Sequence, residues 1–82
     1  MGLYVMINKV YEDNEKVIYS FGPNIEELEE LEVIKKTNEI RKTKENSNLS
    51  NIYYLKAVIK LTKYIKSNSN LKEFPSSLYW TS

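Results

Sequence analysis

The 82 residues of this chain contain no cysteine and no histidine. Without cysteine no disulfide braces the fold and no thiolate is available for chemistry, which fits a reducing compartment. Without histidine the usual neutral-pH general base and commonest transition-metal ligand is missing, which counts against hydrolase and zinc readings. Glycine and proline number two each, and no Gly-rich loop of the kind that cradles phosphate is present. Long apolar runs are absent too. The longest candidate, 52–65, is interrupted by Lys56, Lys60 and Lys63 and is too short to cross a bilayer. The opening MGLYVMINKVY lacks a basic n-region and a small-residue cleavage site, and Met6 stands where myristoylation needs Ser or Thr. A soluble, cytoplasmic chain with no signal peptide and no membrane partner is expected.

What is present fits one domain, 1–82, because the chain is too short for two cores. Twelve basic residues against eleven acidic give a net charge of +1, but the two signs are segregated. Residues 1–34 hold eight carboxylates against two lysines, net −6, and residues 35–82 hold ten bases against three acids, net +7. Such a split marks either an electrostatic partner or two oppositely charged parts that attract each other within one fold.

The clearest periodic segment is 50–66, SNIYYLKAVIKLTKYIK. On a helix, Tyr53, Tyr54, Leu55, Ala57, Val58, Leu61, Tyr64 and Ile65 cover one broad face, with Lys56, Lys60 and Lys63 as a narrow stripe opposite. Ser50 is its expected N-cap, and Asn68 or Asn70 its left-handed C-terminal residue. An apolar face that wide needs a sheet beneath it. LYVMINKVY and KVIYSF, rich in β-branched and aromatic residues, supply a hairpin around the turn Glu12-Asp13-Asn14-Glu15. Gly22-Pro23-Asn24 is expected to end the second strand. Beyond it, a short turn or helical loop at 24–29, a third strand at about 30–35 and a fourth at about 39–43 are expected, with Asn38 at positive φ in the turn between them. A helix over 24–36 competes with this, since Asn24 and Glu27 fit a capping box, but Ile25, Leu28, Leu31 and Ile34 recur every three residues and hold no helical face. Phe74, Leu78, Tyr79 and Trp80 are too much apolar area to leave in water, so the tail is expected to fold back onto the sheet or helix. The fold class is thus α+β: an antiparallel meander of about four strands packed on one long amphipathic helix, with an aromatic C-terminal tail folded back.

Nothing in the sequence points to catalysis: the serines have no base at motif spacing, and no catalytic, cofactor or metal residue is assigned. The most unusual local feature is the acidic run Glu26, Glu27, Glu29, Glu30 and Glu32. It reads as a docking patch for the lysines and arginines of a partner, or as a solvated edge that keeps a strand from pairing with other chains; ligand spacing for Ca²⁺ is missing. Lys56, Lys60 and Lys63 with the basic segment 35–44 offer a phosphate-binding alternative, but with a single arginine and no nucleic-acid motif they read more simply as a solvated face. Tyr4, Tyr11, Tyr79 and Trp80 are further candidates for an interface, including a self-associating one.

Three stretches, YSFGPN, LEVIKKTNEI and the helix followed by EFPSSLYW, are together similar to the "YxFGP…LEI-K-KTGEI" meander and "FP…Y" tail of small bacterial immunity proteins. Those are encoded beside polymorphic or contact-dependent growth inhibition toxins. Asn38 replaces the Gly expected in the turn, and the net charge of +1 departs from the strongly acidic character of many nuclease inhibitors of this kind. The resemblance implies a non-catalytic, cytoplasmic inhibitor that neutralises one cognate toxin domain, often a nuclease, by stoichiometric occlusion.

Overall fold

Strands β1 (Tyr4–Glu12) and β2 (Lys16–Asn24) form the expected hairpin in a computed structural model that describes residues 3–68 and 73–81. Asp13 closes the turn: its Oδ1 accepts hydrogen bonds from the amides of Glu15 (2.8 Å) and Lys16 (2.9 Å). Those two backbone bonds hold the Asp13 carboxyl below its ordinary pKa. Strands β3 (Glu27–Ile34) and β4 (Glu39–Lys44) continue the meander, and Asn38 between them has φ of 60°, a conformation Asn tolerates better than other residues with a side chain.

No helix forms over 24–36, and the chain settles the competition at Asn24. Its Oδ1 accepts from the amides of Glu26 (2.8 Å) and Glu27 (3.0 Å), so the apparent capping box closes a hairpin turn instead of starting a helix. Strand β3 therefore begins at Glu27, earlier than expected. The three-residue recurrence then makes sense, because on a strand it sends successive residues to opposite faces. Strand β2 also outruns its expected end. Gly22 and Pro23 occupy a register irregularity between Phe21 and Asn24, the kind of site where a strand accepts a residue without an N–H. Glycine is required at position 22, because a Cβ there would lie inside van der Waals contact of the Glu27 carbonyl oxygen.

Helix α1 (Ile52–Ser67) follows a polar loop. Asn51, not Ser50, is at the cap position; the Ser50 hydroxyl accepts from the Ile52 amide at 3.4 Å. At the other end Asn68 caps without a left-handed backbone: its amide bonds to the Ile65 carbonyl and its Nδ2 to the Tyr64 carbonyl at 2.8 Å. Asn70 lies outside the described residues.

The tail returns as a strand. β5 (Ser77–Thr81) pairs antiparallel with β1, giving an all-antiparallel five-stranded sheet in the order β4-β3-β2-β1-β5. The fold is α+β, with five strands among the described residues where about four were expected. Helix α1 lies across one face over β2, β1 and β5. Between them Val5, Ile7, Val17, Tyr19, Phe21, Leu31, Val33, Ala57, Leu61 and Phe74 form the buried core. Among the described residues no helix is long and apolar enough to cross a membrane.

Candidate partner-binding surface

The acidic run does not form one patch, because a strand alternates its faces. Glu29, opposite Phe21, points to the helix side and is 1% exposed. Its Oε2 accepts the Asn46 amide at 2.8 Å, and its Oε1 lies 3.5 Å from Lys42 Nζ. Glu29 thereby fastens the loop that leads into α1 and is not available to a partner. Glu30 and Glu32 point to the other face. Glu32 is buried there beneath Arg41, whose Nη2 donates to its Oε1 at 2.6 Å. Glu26 and Glu27 sit exposed at the β2–β3 turn, with Asn24 Nδ2 3.4 Å from Glu27 Oε1. Of the five, Glu26, Glu27 and Glu30 remain reachable from solvent.

The basic half is partly neutralised in the same way. Lys35 pairs with Glu12 at 2.7 Å, Arg41 with Glu32, and Lys42 with Glu29 and Glu45. Three of these pairs join the acidic and basic halves of the chain, so much of the charge segregation in sequence is internal attraction in the fold. Glu12 gathers three donors among the described residues. Lys9 Nζ reaches its Oε1 at 2.6 Å, while Lys35 Nζ and the Phe74 amide share its Oε2. Burial alone would raise this carboxyl; the hydrogen bonds from Lys35, Lys9 and Phe74 outweigh burial and draw its pKa down to about 2. Lys9 Nζ also donates to the Phe74 carbonyl, and buried Tyr19 donates its hydroxyl to the Pro75 carbonyl at 2.7 Å. This cluster ties the segment before β5 to the sheet. Burial first, then the charge on Glu12, pushes the Tyr19 phenol above its ordinary pKa.

The lysine stripe of α1 is not its outermost face. Lys56 and Lys63 lean over the ring of Trp80, 4.9 and 5.7 Å from its centroid, at distances where a cation is attracted to an indole face. The outward positions carry Ile52, Leu55 and Ile59, all exposed, and Leu55, expected against the sheet, is 49% exposed.

The second face of the sheet is left uncovered by every element of the described residues. The registers place its side chains in cross-strand rows. Tyr79 and Met6 lie beside Leu28, which covers Gly22; Tyr4 stacks on Tyr79 with centroids 6.3 Å apart. A polar row of Ser77, Asn8, Ser20, Glu30 and Lys44 follows. Beyond it come Tyr11, Ile18, Glu32 and Arg41, then Ile34. Tyr79 is 61% exposed and Tyr4 and Tyr11 each 48%. The Tyr11 hydroxyl donates to Asp13 Oδ2 at 2.8 Å, which raises the Tyr11 pKa. The sequence flagged Tyr4, Tyr11, Tyr79 and Trp80 as free of the helix core. The three tyrosines lie on this face, but Trp80 packs against the core beneath Lys56 and Lys63, and Met6, Ile18, Leu28 and Ile34 were not flagged. The available signal was arithmetic: one helix covers one face, while β1 carries apolar residues on both.

Comparisons of this chain with protein-family models, with curated proteins and with solved structures return no match.

Proposed function

We propose that this chain is a non-catalytic inhibitor of the immunity type, which binds one cognate toxin domain in the cytoplasm and blocks it by stoichiometric occlusion. The observation that carries the reading is the uncovered sheet face with Tyr4, Tyr79 and Tyr11 exposed upon it. Tyrosine is enriched in the cores of protein interfaces and among the residues that dominate their affinity, and exposed apolar side chains gathered on one face mark an interaction site. The partner surface is basic. Glu26, Glu27 and Glu30 steer it toward the sheet, while Glu29 and Glu32 act inside the fold. The electrostatic part of the resemblance to immunity proteins thus rests on three glutamates instead of five.

The experiment is functional. The protein encoded immediately upstream is expressed alone and together with this chain. Growth arrest in the first case, relieved in the second by an equimolar complex, supports the reading; a harmless upstream product, or arrest that co-expression does not relieve, contradicts it. Titration with single- and double-stranded DNA and RNA at low salt is expected to show no binding.

A further inference from the structure

The two edges of the sheet are built differently. β4 carries Glu39, Arg41, Lys42 and Lys44 and takes an extra residue, Thr43, between the positions paired with Leu31 and Glu30. Charges and a bulge are devices that keep an exposed edge from pairing with another chain. β5, SLYWT, carries no charge and no proline, and its register on β1 runs without a shift.

The outward groups of β5 follow from its ladder. The Lys9 amide donates to the Ser76 carbonyl at 2.8 Å, and Ile7 pairs with Leu78 and Val5 with Trp80. In an antiparallel pair alternate residues turn both backbone groups to the neighbour, so Leu78 and Trp80 face β1 while Ser77, Tyr79 and Thr81 turn their N–H and C=O away. Beside this edge runs a groove of about 390 Å³ lined by Lys60 and the whole of β5. Lys56 and Lys63 stand over the ring of Trp80, which itself lines the groove. None of these three lysines forms an ion pair among the described residues.

We propose that β5 receives an extended acidic segment of a partner protein as an added strand. Main-chain bonds to Ser77, Tyr79 and Thr81 hold the segment, as in other additions of a strand to a free edge. Its side chains alternate between faces. Carboxylates at every second position meet Lys56, Lys60 and Lys63, and the residues between them lie beside Tyr79, extending the uncovered face. A second copy of this chain is the poorer occupant, because β5 against β5 brings two lysine rows together, and like charges across a pair destabilise it. The inference stands on the edge and its lysines, and does not depend on the toxin-inhibitor reading.

The test titrates the full chain with a synthetic peptide of alternating Glu and Thr, and with its Gln–Thr and Lys–Thr counterparts. Emission of Trp80, the single tryptophan, and amide exchange over 77–81 are followed. A saturable emission change with the Glu–Thr peptide is expected, with slowed exchange at Ser77, Tyr79 and Thr81. Affinity falls at least tenfold for Gln–Thr, and Lys–Thr does not bind. Tyr79→Pro removes one outward amide while leaving the groups that face β1, and it abolishes binding; Lys60→Glu leaves every backbone group in place and weakens it. Binding of Lys–Thr as tight as that of Glu–Thr, or binding of Glu–Thr that Lys60→Glu leaves unchanged, overturns the proposal. So does dimerisation through β5 in sedimentation, which would assign the edge to a second copy.

Discussion

Lys9 and Glu12, three residues apart on one strand, point to the same side of the sheet and meet at 2.6 Å. A regular strand would send them to opposite sides. They meet because Val10 is an extra residue: Lys9 pairs with Tyr19 and Tyr11 with Ile18, so the register of β1 slips between them. The slip also turns Tyr11 onto the uncovered face and brings Glu12 under Lys35 and the Phe74 amide. One bulge thus joins the hairpin, the β3–β4 turn and the segment before β5.

Glu12→Gln is expected to destabilise the protein by about 1–3 kcal/mol at neutral pH, because it strands two part-buried ammonium groups. The folded carboxyl, at about 2, lies below its ordinary value of 4.5. Its contribution is therefore complete above pH 4.5 and is lost as pH falls toward 2. Urea denaturation across that window should show the wild-type and variant curves converging at the acid end. A gap that stays constant from pH 7 to below 3 would remove Glu12 from this role.

Gly22→Ala is expected to cost about 1–3 kcal/mol, because the added methyl meets backbone at the Glu27 carbonyl instead of a side chain that can turn aside. Thermal unfolding of the variant should show a fall of several degrees in midpoint.

Leu55 and Leu61 were equivalent in sequence, both on the predicted apolar face of the helix. Leu61 is fully buried and Leu55 half exposed. Leu61→Ala should cost about 2–5 kcal/mol, and Leu55→Ala should stay within about 0.5 kcal/mol of the parent. Denaturant midpoints for the pair test the orientation of α1.

The acidic run divides by function. Glu29→Gln weakens the anchor of the 45–51 loop and should destabilise by about 1–3 kcal/mol. Glu26→Gln, Glu27→Gln and Glu30→Gln should leave stability nearly unchanged and together slow association with a basic partner at low salt, an effect that disappears as salt is raised. Stopped-flow association rates and melting curves on the same variants separate the two groups.

The fold class was legible because its signals were local: the β-branched hairpin strands, positive φ at Asn38, the periodic helix, and the aromatic tail that had to be covered. What escaped depended on pairing. The bulges at Val10 and Thr43 are invisible in composition and decide which face Glu12, Lys42 and Lys44 occupy. Asn24 carries the same pattern whether it caps a helix or closes a hairpin, and only the strand partners available at β2 decide it. Five glutamates in seven positions suggested a patch, but period-two alternation, once β3 was a strand, placed Glu29 in the interior. The uncovered face required knowing that a single helix packs on only one side.

Recognition is proposed to run through the uncovered sheet face. It is tested by calorimetric dissociation constants of the parent and of Tyr4→Ala/Tyr79→Ala for the proposed toxin, the product encoded immediately upstream. Both tyrosines are exposed and lie outside the buried core, so the variant should fold with little change in thermal midpoint. Affinity is expected to fall at least tenfold, about 1.4 kcal/mol or more. An unchanged dissociation constant in the folded variant would contradict it.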